Sequence, residues 1–181
     1  MAIRNILHDD DPLLLKKSRP VTEFNERLHT LLDDMRETLL QANGVGLAAP
    51  QVGVLRRVVL VVDTNRKDEN GEELPPEEAM IELINPEIVA ASGEQVGPEG
   101  CLSIPGVYGI VKRPDLVKVR AFDRYGKPFE AWGTGLTARA FCHEIDHLNG
   151  VLFTSLAEKI LTPEELEEMY GGGDEEEEEE A

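Results

Sequence analysis

Two histidines stand four residues apart in His143-Glu144-Ile145-Asp146-His147. On a helix, positions i and i+4 share one face a turn apart, so both imidazoles reach toward one point. Neutral imidazole is a ligand for a divalent cation. Glu144, beside the first of the pair, is placed to exchange protons with water that such a cation acidifies. The bland alternative is a helix that happens to carry two histidines. The chain has four histidines, and two of them fall here. Metal-dependent hydrolysis is the chemistry this spacing favours.

Catalytic centres of this type usually take three protein ligands and keep one position open. The third ligand has several candidates: Cys101, Cys142, His8, His29 and the carboxylates. Cys142 adjoins His143, so its side chain leaves the helix about 100° away and reads as core or as a neighbour of the site. His8 sits in a polar N-terminal stretch, and His29 reads as packing or surface. Cys101 lies in Glu99-Gly100-Cys101-Leu102-Ser103-Ile104-Pro105-Gly106. Its flanking glycines and proline constrain the backbone and permit close approach of a ligand. A thiolate on a divalent cation is chemically sensible. The residues alone leave Cys101 between a ligand and an inert buried thiol.

The element that must carry the histidines is a helix over Leu136–Leu148, stopped by Asn149-Gly150. A longer helix is predicted over Glu23–Ala42, capped by Thr22. Its Leu28, Leu31, Leu32, Met35, Leu39 and Leu40 recur at helical spacing and read as core. Thr162-Pro163-Glu164-Glu165 starts a third helix with a capping box. Between the helices lie short extended runs: Val58–Val62, Met80–Asn85 and Glu87–Ala91 on either side of Pro86, Gly100–Ile104, and Gly106–Val111. Val117–Phe122 alternates, with Val117, Val119 and Ala121 on one side, and returns through a turn at Asp123–Gly126 into Pro128–Gly133. Gly44–Gln51 holds too many small residues for an ordinary strand interior. Asp63–Glu78 reads as a flexible polar connection with a turn at Asn70-Gly71. Residues 1–20 read as irregular, anchored by Leu13, Leu14 and Leu15. The sum is an α+β fold of mostly antiparallel short strands packed around a central metal-binding helix.

Composition narrows the function. At 181 residues the chain is long enough for one sizeable core. Its net charge is −18, from 18 basic and 36 acidic residues; without the seven acids of Asp174–Glu180 it is still −11. That balance argues against direct nucleic-acid binding, which needs clustered Lys and Arg. No apolar run is long enough for a membrane helix, and the N-terminus has no signal-peptide pattern. Two cysteines make no disulfide framework. A cytoplasmic location is expected. Residues 1–170 are expected to form one catalytic domain, and residues 171–181 a disordered Gly/acidic tail.

Three segments together resemble the peptide deformylase family: Gly44–Gln51 (GVGLAAPQ), Glu99–Ser103 (EGCLS) and His143–His147 (HEIDH). Their order and separations match as well, and the likeness runs from about Ile6 to Leu161. The resemblance implies a hydrolase that removes the N-formyl group from the formyl-methionine of nascent polypeptides, releasing formate. It implies Cys101, His143 and His147 as ligands of one divalent ion, Fe²⁺ in the cell, with Zn²⁺, Ni²⁺ or Co²⁺ as substitutes in preparations. Glu144 would be general base and acid. Gln51 and the Leu102 backbone N–H would stabilise the oxyanion, Gly46 would bind the substrate backbone, and Glu99 would organise the site from behind the ligands. Gly44 and Val45, with Ala140 one turn before Glu144, are the expected walls of the substrate pocket. A monomer acting close to the ribosome is expected. The sequence departs from many relatives in having Cys142, where they carry Gln, before the first histidine. The competing readings are a small metallopeptidase cleaving internal bonds and a non-catalytic metal-stabilised binding module.

Overall fold

A computed structural model describes residues 2–170. The expected tail therefore lies outside the described residues. The chain enters as an extended segment with one 3-10 turn at Pro12–Leu15, capped by the Asp11 side chain. Of the three leucines there, only Leu14 is buried; Leu15 is exposed. The segment is tied to the first helix, α1 (Glu26–Ala42), where Asp34 accepts from the Ala2 N–H at 2.8 Å and pairs with Arg4 at 2.9 Å. The N-cap of α1 is Asn25, whose Oδ1 accepts from Leu28 N–H at 3.2 Å. Thr22, the expected cap, lies outside the helix, so α1 begins three residues late. Both are good capping types, and the local pattern does not separate them. Asn43 closes α1 in the left-handed conformation, φ 54°.

Strand β1 (Gly46–Ala48) follows directly, then a 3-10 turn at Ala49–Val52. The small residues of Gly44–Gln51 do form a short strand after all, because backbone pairing with β2 (Val58–Val62) supplies what side-chain patterning does not. The polar stretch after β2 holds a tight turn, with Gly71 at φ 78° and a Lys67–Glu73 bridge, and the short helix α2 (Pro76–Ala79). Strand β3 runs unbroken from Met80 to Ser92. Pro86, read as a break, sits in a bulge: register shifts between Ile84 and Glu87, and Asn85 takes φ 51°. The Asn85 side chain anchors the bulge by bonding both backbone groups of Val21, at 2.8 and 2.9 Å. Strands β4 (Gln95–Cys101) and β5 (Ile104–Arg113) form a hairpin, and β6 (Leu116–Phe122) and β7 (Pro128–Thr134) form another.

The next helix, α3 (Gly135–Leu148), carries the histidines. It is followed by β8 (Lys159–Ile160) and α4 (Pro163–Tyr170). Thr162 caps α4 as expected, accepting from Glu165 N–H at 3.1 Å.

All strand pairs within the two sheets are antiparallel: β1-β2-β3-β6-β7 and β4-β5-β8. Strand β2 explains how the large sheet is sandwiched. Val58, Leu60 and Val62 join the core under α1, while Val59 and Val61 join the core under α3. A strand covered on both faces needs apolar residues at every position, and VVLVV supplies them. Val117, Val119 and Ala121 are fully buried against α3 on the face that alternation predicts. Helix α3 is buried on nearly every side from Thr137 to Leu148. The smaller sheet packs on a third cluster that includes Leu14, Ile104, Val111 and Phe153. No described helix is long and apolar enough to cross a membrane.

Candidate metal centre

The α3 helix and the β4–β5 hairpin bring three donor atoms together. Cys101 Sγ lies 3.3 Å from His147 Nε2, which lies 3.2 Å from His143 Nε2. All three atoms fall within 4.8 Å of one another. The i, i+4 spacing sets the two imidazoles, and the end of β4 sets the thiol. Cys142 is buried in the core on another side of α3, and burial pushes its thiol up to about 11. His29 contacts the Arg124 carbonyl at 2.8 Å, and His8 is exposed. Among the described residues, Cys101, His143 and His147 are the set with converging donors.

The donor set fits a divalent ion. Tetrahedral bonds of ordinary length place two nitrogens about 3.3 Å apart and a nitrogen and a sulfur about 3.6 Å apart. The observed separations are close to these. Thiolate with two imidazoles suits a borderline cation, and three ligands leave one position for a reacting molecule.

Behind His143 stands a buried charge network. His143 Nδ1 lies 2.7 Å from Glu99 Oε2, which turns Nε2 of the same ring toward Cys101 and His147. Arg113 grips both Glu99 oxygens, Nε to Oε1 at 3.0 Å and Nη2 to Oε2 at 2.7 Å, and donates to Asp146 at 2.7 Å. Arg139 adds a bond to Glu99 Oε1 at 3.0 Å. Burial alone raises the Glu99 carboxyl, but the bonds from His143 and Arg113 outweigh it and hold the pKa near about 2. Glu99 was legible from its motif. Arg113, Arg139 and Asp146 were not read as parts of the site, although Asp146 lies inside HEIDH and Arg139 one turn before His143.

Glu144 is 3% exposed, and its Oε1 has no hydrogen-bond partner among the described residues. Burial dominates its titration and pushes the carboxyl up to about 7. A carboxyl near neutrality can both take and give a proton at working pH. Gln51 is buried as well. Its Oε1 accepts from Ala48 N–H at 2.9 Å, and its Nε2 donates to Ser103 Oγ at 3.1 Å and more weakly toward Cys101 Sγ at 3.5 Å.

A cleft of about 530 Å³ opens onto these groups. Gly44, Val45 and Gly46 line one side, Cys101 and Leu102 another, and Ala140, His143 and Glu144 the α3 side. The glycines permit this closeness. A Cβ on Gly46 would meet Glu144 Cγ and Oε2 at 2.8 Å, and one on Gly44 would meet Leu102 Cδ1 at 2.9 Å. The structure thus gathers into one cleft every residue singled out as catalytic, substrate-binding or second to the ligands, and His147 lies directly behind it.

The chain matches the family model described as polypeptide deformylase over residues 3–161. It is 56% identical over 167 residues to a peptide deformylase of Caldanaerobacter subterraneus subsp. tengcongensis, covering 92% of this chain and 97% of the relative. Peptide deformylase 1 of Bacillus subtilis is 48% identical over 171 residues, covering 94% of this chain and 100% of that one. Among solved structures, a peptide deformylase from Legionella pneumophila superposes with TM-score 0.75 at 46% identity, covering 91% of this chain and 89% of its own. The enzyme from Thermotoga maritima gives 0.77 at 35% identity, covering 87% and 99%. The matched span contains all three ligand candidates and both glutamates behind and beside them, so the chain belongs to the polypeptide deformylase family.

Proposed function

We propose that this protein removes the N-formyl group from the formyl-methionine of nascent polypeptides and releases formate. The observation that carries the reading is the convergence of Cys101, His143 and His147 donors beside a buried, unpartnered Glu144 carboxylate in one cleft. Residues 1–170 act as one catalytic domain in the cytoplasm, as a monomer close to the ribosome.

Cys101, His143 and His147 hold the metal, Fe²⁺ in the cell, with Zn²⁺, Ni²⁺ or Co²⁺ as functional replacements. The bound ion supplies Lewis-acid chemistry, acidifying water and polarising the formyl carbonyl. Glu144 accepts the proton of the attacking water and returns it to the departing amine; its raised pKa suits both directions. As negative charge gathers on the formyl oxygen, Gln51 Nε2 and the Leu102 N–H donate to it. The long Gln51 contact to Cys101 Sγ is the one such an oxygen would replace. Glu99 keeps His143 turned toward the ion. Gly46 pairs with the substrate backbone, with Gly44, Val45 and Ala140 as walls around the methionyl side chain. The peptide deformylase of Acinetobacter baumannii, 34% identical, has been solved with Met-Ala-Ser bound, which supports a peptide product in the corresponding cleft here.

The test is formate release from a formyl-methionyl peptide, with bound metal quantified in the same sample and an unformylated peptide run in parallel. The expected result is stoichiometric formate without internal cleavage. Glu144→Ala should keep its metal and lose on the order of 10²-fold or more in kcat. Internal cleavage without formate would make the protein a metallopeptidase. A metal-replete parent with no turnover would make it a binding module.

A further inference from the structure

Arg139 has no part in the chemistry assigned above, yet the residue is only 6% exposed and both of its terminal nitrogens are bonded. Nη1 donates to Glu99 Oε1 at 3.0 Å and to the Val111 carbonyl at 3.0 Å, and Nη2 reaches Gln95 Oε1 at 3.5 Å. These partners sit on β4 and β5, whereas Arg139 is on α3, one turn before His143. The Glu99 carboxylate thereby accepts four hydrogen bonds: two from Arg113, one from Arg139 and one shared with His143 Nδ1. A carboxylate has about four lone-pair sites, so none is left free. Arg113 alone would grip Glu99 in plane like a fork. The Arg139 Nη1 group, held at the same time by the Val111 carbonyl of β5, fixes where along the helix that plane stands.

We propose that Arg139 is a positioning residue for the metal centre: by pinning Glu99 Oε1 it sets the direction in which Glu99 holds the His143 ring. Removing it has two opposite effects on a cation. A lost positive charge nearby favours ion binding, while a loosened His143 disfavours it. The second is the larger, because the direction of the His143 ring depends on where Glu99 stands, and Arg113 keeps Glu99 ionised without fixing that place alone. Lys at this position separates the two, since it keeps the charge but ends in a shorter side chain with a single nitrogen, losing the second arm that reaches Gln95 Oε1 and holds the guanidinium plane.

The inference rests on the deformylase reading, and turnover of the parent enzyme in the same assay shows separately whether that reading holds. Arg139→Lys and Arg139→Met are compared with the parent in three measurements: rate of metal loss to a chelator, kcat and KM at saturating metal, and the visible spectrum of the cobalt form. Groups that orient a metal-bound histidine typically change affinity or activity 10- to 100-fold. The expected result is metal loss about 10-fold faster in both variants, with kcat reduced, KM nearly unchanged and the cobalt bands shifted. Should Arg139→Met fail to fold, Arg139→Lys carries the test. Unchanged metal loss and cobalt spectrum in a folded Arg139→Lys would overturn the proposal. So would a fall in thermal stability with the cobalt spectrum intact, which would make Arg139 merely structural. Slower metal loss in Arg139→Met, with Arg139→Lys like the parent, would assign the effect to charge and also overturn it.

Discussion

Gly46 and Glu144 touch: a methyl carbon placed on Gly46 would lie 2.8 Å from both Cγ and Oε2 of the glutamate. Strand β1 and the Glu144 side chain are thus packed without a spare atom between them. Under the proposed function, glycine here serves Glu144 as well as the substrate. Gly46→Ala should push the carboxylate off its position while leaving Cys101, His143 and His147 untouched. The expected outcome is full metal content with kcat/KM on a formyl-methionyl peptide down on the order of 10²-fold. Activity near that of the parent would show that Glu144 has room to retreat.

Glu99 is the counter-ion of two buried guanidiniums. Glu99→Ala leaves Arg139 without an acid and Arg113 with only Asp146. Breaking a buried pair from one side costs roughly 3–5 kcal/mol. Urea unfolding of the metal-free variant should show a loss of that size, with metal retention weakened as well. Glu99→Gln, which keeps the shape, should lose less stability. A metal-free Glu99→Ala as stable as the parent would mean the network contributes nothing to the fold.

Asp34 fastens the N-terminal segment to α1. The Ala2 N–H is the strongest influence on its carboxyl, ahead of the opposing cost of burial, and with Arg4 it lowers the pKa. The folded value therefore lies below the unfolded one, about 3.9. The ionised group stabilises the fold above that pH, and the contribution is lost as pH falls through the folded value. The gap in denaturant midpoint between parent and Asp34→Asn should be largest near neutrality and shrink below about pH 4. A gap that holds constant down to pH 3 would mean the carboxylate charge is irrelevant.

Ala140 is 5% exposed and lies on the cleft wall one turn before Glu144. Ala140→Phe should fill the space for the first side chain. It should therefore reduce kcat/KM more for formyl-methionyl than for formyl-alanyl peptides, with metal content unchanged. Apolar pockets discriminate by about 1–3 kcal/mol per methylene, so the preference should be graded. Equal losses on both peptides would place the side chain elsewhere. Efficient hydrolysis of an acetyl-methionyl peptide by the parent would show that formyl is not chosen by space alone.

The residues that bear chemistry were legible because their chemistry is local: HEIDH is one turn of helix, and EGCLS one strand end. The alternation of Val117, Val119 and Ala121 and the stop at Asn149-Gly150 were legible for the same reason. What was hidden depends on distant partners. Arg113 and Arg139 look like ordinary surface cations until the hairpin folds them onto Glu99. Gly44–Gln51 has no strand pattern of its own and becomes one by pairing with β2. Pro86 reads as a break, since nothing nearby reveals that Asn85 will be held from Val21, far earlier in the chain. Thr22 and Asn25 are both good caps, and only the fold shows that the Asn25 side chain takes the Leu28 N–H.

Cys101 belongs to the three-stranded sheet, while both histidines belong to the helix buried against the five-stranded one. An ion held by all three is therefore a rivet across the seam between the two sheets. Because the unfolded chain lacks that arrangement, free ion at 100 times its dissociation constant adds about 2.7 kcal/mol to the native state. Withdrawing the ion removes that bond at one place only. The hairpin of β4 and β5 then parts from the body at a lower free-energy cost, and its amides should exchange faster than in the metal-bound protein.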